Sequence, residues 1–145
     1  MAKIVIIRIR GMIGVRRQIR ETLDMLRLRK KFSCVVIEES KENNGMLRKV
    51  QTHVSYGKID GETLKLLIIK RGRKKGNKPV ELAGKQLEAI NEFLENKKKL
   101  QDLEIKPFFR LHPPKGGFKK STKLLYPKGL LGNNPQINDL VKRML

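Results

Sequence analysis

The sequence predicts an α+β fold, and three observations carry that prediction. Short β-rich runs alternate with helix-period segments in the first 57 residues, and 39% of the 145 residues are hydrophobic, enough for one modest core. Residues 105 to 138 hold seven Lys or Arg and no Asp or Glu, which suits an extended basic arm better than a packed layer. The whole chain is expected to be a single domain, with a core over 1–57, a helical insertion over 58–104, and a closing strand, basic arm and C-terminal helix over 105–145.

Residues 3 to 10 form the first strand. Arg8 and Arg10 recur at period two, so both guanidinium groups leave one face while Ile7 and Ile9 enter the other. Gly11-Met12-Ile13-Gly14 turns the chain into a helix over Val15 to Leu28, where Val15, Ile19, Leu23 and Leu26 share one arc and Arg16, Arg20 and Arg27 line a stripe beside it. Phe32 to Glu38 is a second strand, apolar on both faces as a covered strand would be. Asn43 to Tyr56 is a second helix, with Met46 or Leu47, Val50 and Val54 inward and Gly57 at its C-terminal cap. Strand, helix, strand, helix in this order resembles half of a ferredoxin-like fold, so a sheet of three strands and two core helices is expected.

Asp60 caps a short helix reaching about Lys70, and six cations in the nine residues from Lys70 to Lys78 mark a loop or finger. A further helix spans Gly84 to Leu100, and Ile105 to Leu111 closes the sheet at the entrance to the arm. Asn134 and Pro135 start a C-terminal helix carrying Ile137, Leu140, Val141 and Met144. Its docking would pin the arm at both ends, and the α+β body is expected to fold even without residues 112 to 132.

The formal charge is +20, from 34 basic and 14 acidic residues. Such an excess calls for a polyanion, and nucleic acid suits it best, because each phosphate neutralised releases condensed counterions. No run approaches the roughly 20 apolar residues of a membrane span. The apolar start is broken by Arg8 and Arg10 too early for a secretory core, so a cytoplasmic protein is expected. Cys34 has no intramolecular partner and lies in an apolar run, as a buried, inert thiol would.

An enzyme needs converging groups, and the material is poor. His53 and His112 are the two histidines, with no Cys or Asp cluster near either, so neither metal nor cofactor is expected. Glu38, Glu39 and Glu42, or Glu21 and Asp24, are explained by local ion pairs without catalysis. Gly11 and Gly14 lack the remaining residues of a dinucleotide or P-loop fingerprint, which leaves a tight turn past which an RNA backbone could run. Phe108 or Phe109 must face the core, whereas Phe118 and Tyr126 are free either to stack on bases or to pack the arm against its body.

Two stretches carry a family resemblance. In the first, Ile4 to Val54, the run from Arg8 to Gly14, Thr22-Leu23, the run from Leu26 to Lys30, and Gly45-Met46 fall in family order. In the second, Arg110 to Gly117 and the later Leu131-Gly132 resemble the archaeal and eukaryotic extension. The chain resembles the universal large-subunit ribosomal protein family L-thirty, called protein seven in eukaryotes, and its inserted helices and arm place it with the archaeal type. The resemblance implies a non-catalytic protein of the large subunit, monomeric within the ribosome. It would bind 23S-type ribosomal RNA, with the small 5S ribosomal RNA as a further candidate, beside neighbouring subunit proteins.

The expected RNA-binding set is Arg8, Arg10, Gly11, Gly14, Arg16, Arg20, Arg27, Lys30 and Lys31 from the body. From the arm it is Arg110, His112, Lys115, Gly116, Gly117, Phe118, Lys119, Lys120, Lys123 and Lys128. Arginines would supply bidentate geometry and lysines mostly charge. The alternative reading is a free KH-like regulatory RNA-binding protein or a nucleic-acid-acting enzyme.

Overall fold

The computed structural model describes residues 3–11, 13–73, 108–118, 121–126 and 128–145. The expected helix at 84–100 and most of the lysine-rich run at 70–78 lie outside them. β1 (Lys3–Arg8), β2 (Ser33–Glu38) and β3 (Val54–Lys58) form the centre of the fold, with β1 in the middle and antiparallel to both neighbours. Two short helices, α1 (Arg17–Met25) and α2 (Lys41–Val50), connect them. The expected three strands and two helices are thus present, but the third strand is not the expected one.

Residues 54–58, expected to finish the second helix, pair with β1, with Ile6 opposite Tyr56. α2 stops at Val50, and the turn after it closes with His53 N–H donating to Val50 C=O at 2.9 Å. Val50 and Val54 lie four apart and are both fully buried, so their spacing imitates a helix face although a turn separates them. At its start α2 follows the capping rule, since Asn43 N–H donates to Ser40 Oγ at 3.1 Å.

The sheet extends on both sides. β4 (Phe109–Arg110) pairs with β2, while β6 (Gly129–Asn133) runs parallel to β3 and carries β5 (Ser121–Leu125) beyond it. Among the described residues the order is β4-β2-β1-β3-β6-β5, six strands where three were expected. Of the expected closing strand at 105–111, residues 105–107 lie outside the described residues, and Phe109–Arg110 pair at the outer side of β2 and not at the closing position. The second half of the arm is also part of the sheet, with Leu130 and Leu131 buried. Deleting 112–132 would strip two strands from the sheet, so the body is no longer expected to fold without them.

Helices cover both faces. Ile4, Ile6 and Val35 pack against Leu23, Leu26, Leu47 and Val50 on the α1/α2 side. Val5, Ile7, Cys34, Phe109 and Leu131 pack against α3 (Gly61–Arg71) and α4 (Ile137–Met144) on the other, through Leu64, Leu67, Ile68, Ile137, Leu140, Val141 and Met144. Each such side chain contributes about 1.5–3 kcal/mol of transfer free energy. Cys34 is a free thiol sealed in the second layer, and burial pushes its pKa up.

α4 begins two residues after the expected start. Asn134 is buried and accepts from Gln136 N–H through Oδ1 at 2.9 Å, while its own N–H donates to Tyr56 C=O at 2.7 Å. This turn lies so close to β3 that a Cβ on Gly57 would stand 2.4 Å from Asn134 O and 2.8 Å from Ile137 Cγ2. Gly57 is thus a close-approach residue inside a strand and not a helix cap.

Candidate nucleic-acid interface

The loop joining α1 to β2 is closed by local backbone hydrogen bonds. Leu28 N–H donates to Leu23 C=O at 2.9 Å and Arg27 N–H to Asp24 C=O at 3.0 Å, the paired bonds of a Schellman motif. The left-handed position, usually glycine, is occupied by Arg27 at φ 64°, and Phe32 at the far end of the loop has φ 63°. Two non-glycine residues in this region carry strain that the surroundings must hold.

Arg8 supplies much of that hold. Its guanidinium donates to Leu28 C=O at 2.7 Å, Arg10 C=O at 3.1 Å and Gly11 C=O at 3.3 Å, and its own C=O accepts from Phe32 N–H at 2.8 Å. The expectation that Arg8 leaves the sheet toward RNA is therefore corrected. Strand alternation does place Arg8 opposite Ile7, but helices cover both faces, and Arg8 is only 2% exposed. Burial lowers its pKa, with the Asp24 carboxylate acting in the opposite sense.

Locked in this way, the loop turns Arg27, Arg29, Lys30 and Lys31 to solvent. Lys31 Nζ lies 5.1 Å from the centre of the Phe32 ring, which also packs against Phe118 at 6.1 Å. The Phe118 ring is thereby engaged with the body and does not stand free in the arm. Across the loop, Arg110 is exposed on the edge strand β4, its Cζ 5.9 Å from the Phe108 ring centre. Arg27, Arg29, Lys30, Ser33, Phe108 and Arg110 surround a cavity of about 410 Å³.

The start of the arm is fastened to the end of α4. His112 N–H donates to Met144 C=O at 3.0 Å and Lys115 N–H to Arg143 C=O at 3.1 Å, satisfying carbonyls that a helix end leaves open. The Arg143 guanidinium donates back to the carbonyls of Lys115 and Gly117. Gly116 and Gly117 both have φ 77°, a conformation that costs other residues more, and the side chains of His112 and Lys115 stay exposed.

Of the other expected residues, Gly11, Gly14, Arg16, Arg20 and Lys128 are exposed and Arg10 is half-buried. Gly14 turns the chain at φ 74°, and Arg16 stands at the N-terminal cap of α1. Lys123 falls in β5, while Lys119 and Lys120 lie outside the described residues. The structure brings Arg27, Lys30 and Arg110 to one cavity, and His112 and Lys115 to the end of α4. Sequence reasoning missed Arg29, Ser33 and Arg143. Arg29 and Ser33 flank named cations in the loop, but Arg143 could be found only from the docking of α4.

His53 lies in the turn before β3 and not in a helix. Its C=O accepts from both Ile9 N–H and Arg10 N–H, and its Nδ1 is 2.8 Å from Thr52 Oγ1. Burial, then the charges of Arg10 and Arg8, lower its pKa. Among the described residues no group of three His, Cys, Asp or Glu could hold a metal, and no helix is long and apolar enough to cross a membrane.

Fold and charge define the class: a strongly basic α+β protein with exposed cations on hydrogen-bonded turns. Residues 4–54, from β1 to the first residue of β3, match the family Ribosomal protein L30p/L7e. The chain is 44% identical to the large ribosomal subunit protein uL30 of Archaeoglobus fulgidus, over 96% of this chain and 97% of that protein. The same protein of Methanococcus vannielii is 44% identical over 97% of both, and that of Staphylothermus marinus 44% over 97% of this chain and 96% of its own length. The chain belongs to the uL30 family of large ribosomal subunit proteins.

Proposed function

We propose that the chain is a structural constituent of the large ribosomal subunit in the cytoplasm, one copy per subunit, and takes part in translation without catalysing a reaction. Its main partner is the large-subunit, 23S-type ribosomal RNA, with neighbouring subunit proteins around it. The small 5S ribosomal RNA is a further candidate partner. The observation that carries this reading is the α1–β2 loop, where a buried arginine fixes a run of exposed cations before any RNA arrives.

Preorganised cations lose little freedom on binding, and arginines can grip phosphate through two parallel hydrogen bonds. The phosphate-facing set is Arg10, Arg16, Arg20, Arg27, Lys30 and Lys31 from the body, with Arg110, His112, Lys115, Lys119, Lys120, Lys123 and Lys128 from the later segment. Gly11, Gly14, Gly116 and Gly117 let the RNA backbone come close. Arg8 and Phe118 support this surface from beneath. The test is stoichiometry on ribosomes: one copy per large subunit, retained through a moderate-salt wash, is expected. Protein found mainly off ribosomes, or RNA cleavage with added Mg²⁺ that is lost on carboxylate substitution, would overturn the reading.

A further inference from the structure

We propose that the cavity between the α1–β2 loop and the β4 edge takes a single unstacked nucleotide of the bound RNA, its base against Phe108 and its phosphate among the loop cations. The inference deepens the RNA-binding reading above and rests on it. About 410 Å³ is a volume in the range of small-ligand pockets, roughly 300–1,000 Å³, and is large enough for a nucleotide. It is a local pocket, whereas a continuous duplex backbone meets a protein along an extended surface.

The lining combines the two chemistries a nucleotide needs. Arg27, Arg29, Lys30 and Arg110 are cationic, and among the described residues around the cavity there is no carboxylate to neutralise them. A phosphate is therefore the favoured charge. Phe108 adds a half-buried aromatic wall, and the Arg110 guanidinium beside its ring extends that wall with a second planar group on which a base can stack. Ser33 brings a hydroxyl that can donate to or accept from a base edge. An acidic peptide would use the cations but would leave the aromatic wall without a matching group.

The site is also built ahead of its ligand. Arg27 sits in a left-handed position that the Schellman bonds and the Arg8 to Leu28 hydrogen bond hold in place, and Leu111 N–H ties the Phe32 C=O to the arm at 3.0 Å. Arg27 lines the cavity while held in the left-handed region, and such strain is a recurring mark of a binding site.

The test uses the full chain and three short RNA hairpins: one with a single bulged adenosine, one with an abasic bulge at the same point, and one fully paired. Wild-type protein is expected to bind the bulged adenosine about tenfold more tightly than the abasic bulge, the size of one base–aromatic stack. Phe108→Leu should remove that preference and keep the salt slope, whereas Phe108→Tyr should retain it; thermal unfolding confirms that both fold. Arg27→Gln should weaken the two bulged complexes alike and the fully paired one less, because only a bulge delivers a phosphate into the cavity. Equal affinity for the adenosine and abasic bulges, or a preference that survives Phe108→Leu, overturns the proposal. So does Phe108-dependent binding of hexaglutamate in place of the adenosine preference, which would assign the cavity to an acidic protein segment. Loss of the protein from ribosomes with the base preference intact would instead overturn the ribosomal reading alone.

Discussion

Arg8 and Arg10 show how two identical side chains, one at the end of β1 and one two residues beyond it, take different roles. Arg8 spends its donors on three backbone carbonyls inside the protein, whereas Arg10 is half-buried. Charged hydrogen bonds of this kind are worth about 1.5–3 kcal/mol, and stranding a buried carbonyl costs about 1–3 kcal/mol. Arg8→Met should therefore lower stability by about 2–4 kcal/mol in denaturant titration, with RNA affinity falling only as the loop loosens. Arg10→Gln should leave stability nearly unchanged and weaken RNA binding directly. The period-two pattern made the opposite faces of Arg8 and Ile7 legible in the sequence. It could not show that helices close both faces, because the second face is closed by α3 and α4, which lie far along the chain.

His53 allows a pH prediction at the same scale. Burial and the two arginines disfavour its charged form, so its folded pKa lies below the ordinary value of 6.5. The unfolded chain then binds the proton first, and stability falls as pH drops through about 6.5 toward the lower folded value. The unfolding midpoint should decline between about pH 7 and pH 5, and His53→Gln should flatten that decline. A midpoint that rises on acidification would contradict the predicted sign.

At the scale of elements, β1, β2, α1 and the buried face of α4 were readable because their apolar periodicity agrees with their burial. β3 was not, since Val50 and Val54 keep helical spacing across a turn, and β6 was hidden because a basic segment rich in glycine resembles a loop. The missing information was pairing: β3 is a strand because β1 and β6 lie on either side of it. Gly57 tests this arrangement. In a helix cap, alanine would meet only the strain of a left-handed backbone, but in β3 an added Cβ collides with the Asn134 carbonyl and Ile137. Gly57→Ala should destabilise the fold by about 1–3 kcal/mol, the usual range for overpacking. Urea titration with an unchanged midpoint would mean that α4 does not seat against β3 as described.

At the scale of the whole molecule, the charge of +20 can be divided by asking which cations face water. Repulsion among them opposes folding in the free chain, so stability should rise with salt and rise further with RNA, which binds the folded state. Binding responds to salt in the opposite direction, because each phosphate contact adds about −0.7 to −0.9 to the slope of log affinity against log salt. Arg27→Gln and Lys30→Gln should each make that slope shallower by about one contact. Arg8→Met, which removes the same formal charge, should leave it unchanged, because a guanidinium bound to carbonyls releases no counterions from RNA. The measurement is a salt series of RNA affinities for the wild type and the three variants. An equal change of slope in all three would mean that net charge alone governs binding and that the division into buried and exposed cations has no bearing on function.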